Sequence, residues 1–127
     1  MIVGSAIAKR WSNDSGAAAV EFALIAPAFI AILLGVIGLG MLMFAQASLH
    51  YAVETSARCA SVQTTVCPDA TTTQTFAQNN YYGPSISPTF TATSAACGNS
   101  VTGSATFSLN VGIFQTSIPL SATACFP

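Results

Sequence analysis

Three patterns of apolar and polar positions follow one another along the chain. Residues 22–45 read FALIAPAFIAILLGVIGLGMLMFA, 24 positions without a polar side chain. As an α-helix rising ~1.5 Å per residue this run is about 36 Å long, enough to cross a hydrocarbon core of ~30 Å with some tilt. It reads as a single transmembrane helix, because a buried core helix would need neighbours with comparable apolar faces and the rest of the chain offers none. Past Ala45 the pattern turns amphipathic: Leu49, Ala52, Val53, Ser56 and Ala60 share one helical face, while His50, Glu54 and Arg58 follow one another at four-residue spacing. The helix is expected to run on to about Ser61. Glu54 ahead of Arg58 is the favourable order for a helical ion pair, worth about 0.2–0.5 kcal/mol.

The third pattern has a period of two. Val101, Gly103, Ala105, Phe107, Leu109 and Val111 alternate with Thr102, Ser104, Thr106, Ser108 and Asn110, which predicts a half-buried antiparallel strand. Gly98-Asn99 is the expected turn back to a strand over residues 89–97, and residues 118–126 alternate again. Residues 71–82 read as a short helix with Phe76 and Tyr81 or Tyr82 facing the long one, and Gly83-Pro84 and Ser87-Pro88 mark turns. The expected class is α+β, a long N-terminal transmembrane helix continuing into a small exported domain with a three-stranded antiparallel sheet.

Composition sharpens this picture. The 127 residues leave room for one small domain, and only 6% of them are charged against 52% hydrophobic, with a formal net charge of −1. There is no basic field to neutralise phosphates, so nucleic-acid binding is not expected. Lys9 and Arg10 precede the span and no Lys or Arg follows it for a dozen residues, which puts the N-terminus in the cytoplasm and exports the rest. Between residues 61 and 127 the sole charge is Asp69, while Ser and Thr supply 22 positions, so hydroxyls carry the solubility of the exported part.

All four cysteines, Cys59, Cys67, Cys97 and Cys125, follow the span and would meet an oxidising compartment. A core this small seldom contributes more than about 3–5 kcal/mol, so covalent staples are expected. Pairing Cys59 with Cys67 fastens the helix end to the next loop, and Cys97 with Cys125 joins two strands; Cys59 with Cys97 competes. A removable signal peptide ending at Ala45-Gln46-Ala47 is the rival reading of the span, but its apolar region should run only about 7–15 residues.

The junction before the span holds the candidate site. Glu21 stands at the edge of an uninterrupted apolar helix, where a carboxylate nearer mid-membrane would cost about 2.5–3.5 kcal/mol. Alone, it would do no more than favour the positive end of the helix dipole. Its surroundings are Gly16-Ala-Ala-Ala-Val-Glu21-Phe22-Ala-Leu-Ile-Ala-Pro27, after a short basic leader, and a second stretch reads Tyr51-Ala-Val-Glu-Thr-Ser-Ala-Arg-Cys-Ala60. Together these resemble the TadE-like family of minor pilins, or pseudopilins, of the tight-adherence pilus system.

The resemblance implies a leader of residues 1–16 cut after Gly16 by a membrane prepilin peptidase, leaving Ala17 as the new N-terminus. An assembly helix over residues 17–61 and an exported domain over residues 62–127 would follow. Gly16 suits a scissile bond because a residue without Cβ lets an enzyme approach the backbone. Glu21, with Phe22, would serve recognition and assembly, the carboxylate accepting the Ala17 amine of a neighbouring subunit as a register device. The implied partners are prepilin peptidase, the major pilin, other minor pilins and the pilus assembly platform, with the chain in the inner membrane. The competing reading is an uncleaved membrane-anchored, or secreted, periplasmic binding or adhesion protein that uses the Thr-rich sheet or the loop Asn79-Asn80-Tyr81-Tyr82.

Two further features of the helix bear on assembly. Ala28, Ala31, Gly35 and Gly38 form a stripe without bulk, centred on Ala31-x-x-x-Gly35, along which another helix can approach; contact with lipid alone is the alternative. Pro27 removes a backbone hydrogen bond and should kink or loosen the helix one turn past Glu21. The chain has no Cys-x-x-Cys pair and one lone histidine, His50, so neither metal nor cofactor is expected. No Ser/His/Asp set or phosphate-binding loop is present, so the expectation is a non-enzyme.

Overall fold

A computed structural model of the chain describes residues 14–127. Lys9, Arg10 and most of the expected leader lie outside the described residues. The elements are helix α1 (Asp14–Val62), helix α2 (Ala70–Asn79) and strands β1 (Thr89–Ala95), β2 (Gly98–Val111) and β3 (Phe114–Phe126), an α+β fold. Two compact units divide the chain, one ending at Leu34 and one running from Gly35 to Pro127.

In the first unit α1 is apolar from Phe22 to Leu34 and has no buried face. The best membrane-length window of the helix has a mean hydropathy of 2.7 with none of it buried. Pro27 sits inside the helix without ending it, leaving the Ala23 carbonyl without its usual donor.

The second unit is built on the amphipathic part of the same helix. Ala45, Leu49, Ala52, Val53 and Ala57 recur at three- and four-residue spacing and are fully buried against Ala77 of α2 and Phe90, Val101, Phe107, Leu120 and Ala122 of the sheet. Small residues on the helix side and Gly103 on the sheet side permit the close approach. A Cβ on Gly103 would stand 3.0 Å from Leu49 Cδ1 and 2.8 Å from Phe90 Cε1. The apolar run therefore does not end as one span at Ala45. Its last part already packs on the domain along one face, with Ala45 fully buried and Leu42 half-buried against the core while Met43 and Phe44 stay exposed, because the sheet supplies a matching face there.

The sheet is antiparallel in the order β1-β2-β3. Along β2, Val101, Gly103 and Phe107 are buried and the alternating Ser and Thr positions are exposed, as the period-two pattern predicts. The first hairpin turns differently from expectation. Ala96-Cys97 make the turn, and Gly98 is already the first residue of β2, paired with Ala95. The glycine is needed for its φ of 121° and because a Cβ would strike the Phe126 carbonyl, not for a place in the turn. The second hairpin turns at Gly112-Ile113, with Gly112 at φ 61°. Strand β3 thus begins at Phe114, four residues before the expected 118, because pairing with β2 extends it through positions that have no core face to alternate against. Pro119 is tolerated because β3 is an edge strand.

Polar links and disulfides close the unit. Cys59 pairs with Cys67 and Cys97 with Cys125, so the competing Cys59–Cys97 bridge does not form. Ser61 Oγ donates to the Phe126 carbonyl at 2.9 Å and accepts from Asn99 Nδ2 at 3.1 Å, tying the end of α1 to both hairpin ends. Asp69 caps α2: its carboxylate accepts the Thr72 N–H at 2.7 Å, completing a capping box. The helix ends at Asn79 rather than at the expected 82, because the Tyr82 N–H leaves to donate to Ser48 Oγ at 2.8 Å on α1.

Candidate functional site

The Gly16–Phe22 junction occupies the first turns of α1, whose described part starts at Asp14. Gly16, Ala17, Glu21 and Phe22 are all exposed, Phe22 at 73%, and a Cβ on Gly16 would meet nothing within 4 Å. The Gly16–Ala17 bond is helical here rather than extended. The first N–H groups of a helix have no intrahelical acceptor, and glycine costs up to about 1 kcal/mol relative to alanine inside one, so this turn unwinds cheaply. Ala17 and Glu21 stand four residues apart and share a face.

The small-residue stripe divides. Gly38 lies beneath Leu109 of β2, where a Cβ would come within 2.7 Å of Leu109 Cδ1, whereas Gly35 has nothing within 4 Å and Ala31 is exposed. The intramolecular use of Gly38 has no local signal in sequence. It needs the position of β2.

The rival surface, residues 79–82, is largely committed to internal contacts. Asn80 Nδ2 donates to the Phe76 carbonyl at 2.8 Å, and Tyr81 Oη donates to the Pro84 carbonyl at 3.0 Å. Burial raises the Tyr81 pKa above the ordinary phenol value. Tyr82 does face outward, its ring 6.3 Å from that of Tyr51. The outer sheet face carries Thr91, Thr102 and Thr123 side by side, with the Thr102 and Thr123 hydroxyls 3.1 Å apart.

His50 is exposed and accepts a hydrogen bond from Gln46 Nε2 at 3.1 Å. The same Gln46 nitrogen donates to the Ser121 carbonyl at 3.0 Å, so His50 helps orient a link between α1 and β3. Asp69 is held below the usual carboxylate range by the Thr72 backbone N–H and hydroxyl it accepts from. Glu54 and Arg58 are exposed one turn apart on α1. Among the described residues no group of three or more His, Cys, Asp or Glu side chains is placed to hold a metal.

Residues 16–58 match the model of a family described as TadE-like protein, the family that the junction and the helix resemble. No curated protein and no solved structure matches the chain significantly.

Proposed function

From the TadE-like match over residues 16–58, we propose that the chain is a minor pilin or pseudopilin that acts in assembly of a tight-adherence pilus. The observation that carries the reading is the exposed Gly16–Phe22 junction, which leads directly into an unburied apolar helix inside the matching segment. The role is structural rather than catalytic. Prepilin peptidase cuts after Gly16, removing Lys9 and Arg10 and with them the charge that opposes withdrawal of the helix from the bilayer.

The mature chain then consists of the helix over residues 17–61 and the exported domain over residues 62–127. It sits in the inner membrane with its N-terminus cytoplasmic and its domain periplasmic until it joins the pilus. In the assembly, Glu21 accepts the Ala17 amine of a neighbouring subunit. Such a pair, excluded from water, specifies register more than it adds stability, since desolvation largely offsets attraction. The Ala31-x-x-x-Gly35 stripe, with Ala31 exposed and nothing within 4 Å of a Cβ on Gly35, lets the helix of the major pilin or another minor pilin approach. The assembly platform draws the subunit in through the same helix.

Intact mass and N-terminal sequencing of the protein from its native envelope test the reading. A start at Ala17 supports it, whereas a start at Ser48 indicates a secreted domain and an intact Met1 a permanent anchor. Gly16→Leu is expected to block processing; Glu21→Ala is expected to permit processing but impair piliation. Normal piliation with both variants would refute these assignments.

A further inference from the structure

The two disulfides lie in opposite surroundings. Cys59 and Cys67 are each only 3% exposed, closed in where the end of α1 leads toward α2. Cys97 is exposed in the turn between β1 and β2, and its partner Cys125 is half-buried near the end of β3. The first bridge is shielded by its own chain, whereas the second is open to a reagent from outside.

Strand alternation produces this difference. Leu120 and Ala122 of β3 are buried, so Ser121, Thr123 and Cys125 share the outer face, where Cys125 stands opposite Ser100 of β2 and Ser100 in turn opposite Thr93 of β1. Cys97 follows Ala95 and Ala96, both exposed. A reagent approaching this end of the sheet therefore meets methyl and hydroxyl groups without bulk. The sheet carries no charged side chain, since none occurs between residues 70 and 127, so no carboxylate of the strands repels an incoming thiolate.

We propose that Cys97–Cys125 is a thiol–disulfide exchange site at which a dithiol oxidoreductase attacks Cys97, and that Cys59–Cys67 is closed to the same partner while the domain is folded. One thiolate of the dithiol bonds to Cys97 Sγ as the Cys97–Cys125 bond breaks, and Cys125 leaves as a thiolate. The partner's second thiol, once deprotonated, attacks its own sulfur in the mixed disulfide, and Cys97 leaves as a thiolate. The two cysteines take up the two protons that the dithiol gave, two electrons pass to this chain, and the partner ends as a disulfide. The reverse sequence forms the bond. Attack falls on Cys97 because exchange depends on access to the sulfur, and Cys97 is the more exposed of the pair. Opening the bridge frees the β1–β2 turn from the end of β3, where the hydrogen bonds of Ser61 to the Phe126 carbonyl and Asn99 remain as ties. The redox state of the partner thus sets how firmly that end of the sheet is held.

The test treats the full, oxidised chain in detergent micelles with graded dithiothreitol, without denaturant, traps free thiols with N-ethylmaleimide at successive times and maps the label by peptide mass spectrometry. The expected result is an opening rate proportional to dithiothreitol concentration, with Cys97 and Cys125 labelled at least about tenfold faster than Cys59 and Cys67. Label arriving first at Cys59 and Cys67, or equally at all four cysteines, overturns the proposal. So does a rate independent of dithiothreitol, because exchange would then wait on unfolding. A second arm replaces dithiothreitol with reduced glutathione under the same trapping. Glutathione is expected on Cys97 with N-ethylmaleimide on Cys125; the opposite arrangement overturns the assignment of Cys97 as the attacked sulfur.

Discussion

Residues 17–37 and 38–62 of α1 are parts of one uninterrupted helix, yet they face different surroundings. The first stretch presents apolar side chains to its surroundings without a buried face, and Phe22, Leu24, Ile25, Ile32 and Val36 are all exposed. The second carries Ala45, Ser48, Ala52, Ser56 and Ala57 on one buried face, with Leu49 and Val53 as its only large core members. Large apolar side chains exposed over most of the helix suit a fluid surrounding that adapts to them; a narrow buried stripe of small residues suits a rigid sheet approaching closely along one line. The difference teaches that hydrophobicity alone does not place a segment in a protein core. A matching face does, and the 21 residues of the first stretch, about 32 Å as helix, have the length of a bilayer core instead.

The strongest attack on this contrast exchanges a carboxylate into each part. Leu49→Asp buries an unpaired charge, a cost of several kcal/mol even after proton uptake, and is expected to abolish cooperative melting of the domain in near-ultraviolet circular dichroism. Ile32→Asp should leave that melting unchanged while weakening membrane insertion by about 2.5–3.5 kcal/mol, read from the fraction of chain extracted by carbonate. A domain destabilised equally by both would end the distinction. Truncation gives a milder version: Leu49→Ala is expected to cost about 2–5 kcal/mol in denaturant unfolding and Leu34→Ala less than about 0.5.

The staples sharpen the comparison, since they act only on the domain. Removing Cys97–Cys125, which closes a separation of 28 residues, should cost about 3.5 kcal/mol on the loop-entropy account; removing Cys59–Cys67, with a separation of 8, about 2.5. Paired Cys→Ala variants in chemical denaturation would test that order. Smaller again is Ser61→Ala, which loses the link to Phe126 and Asn99 and is expected to cost about 1 kcal/mol.

The smallest effect is that of acid on Asp69. Its pKa is lowered by its hydrogen bonds to Thr72, so its contribution is present above the unfolded value of 3.8 and is lost as pH falls through the lower folded value. Acid-induced fraying of α2 in that window, seen as faster hydrogen exchange at Thr72 and Thr73 amides relative to the rest of the domain, is expected in the native chain, whereas Asp69→Ala, uncapped at every pH, should show no such added step.

Periodic features were legible along the chain because each follows from local geometry. Helix α1 ends at Val62, one residue from the expected Ser61, and β2 alternates as its spacing requires. The misread places depend on partners distant in sequence. Gly98 looked like a turn residue but is constrained by Phe126, and the start of β3 at Phe114 is set by pairing with Val111. In the candidate site, the Gly16–Phe22 junction was readable as a contiguous motif. The use of Gly38 by Leu109, which removes one member of the small-residue stripe, was not.

The sequence by itself determined the class of each segment: an apolar helix long enough for a bilayer, an amphipathic continuation, a hydroxyl-rich sheet and an even set of cysteines. These are properties of neighbours within a few residues, where side-chain period and backbone geometry act directly. Only the tertiary structure decided where the apolar run stops facing outward and becomes core, which cysteines join, and that the β2–β3 hairpin extends past Gly38 with Ile113 and Phe114 exposed at its end. Those outcomes depend on which faces meet, and an apolar side chain is stabilised equally by any dry neighbour until the fold supplies a particular one.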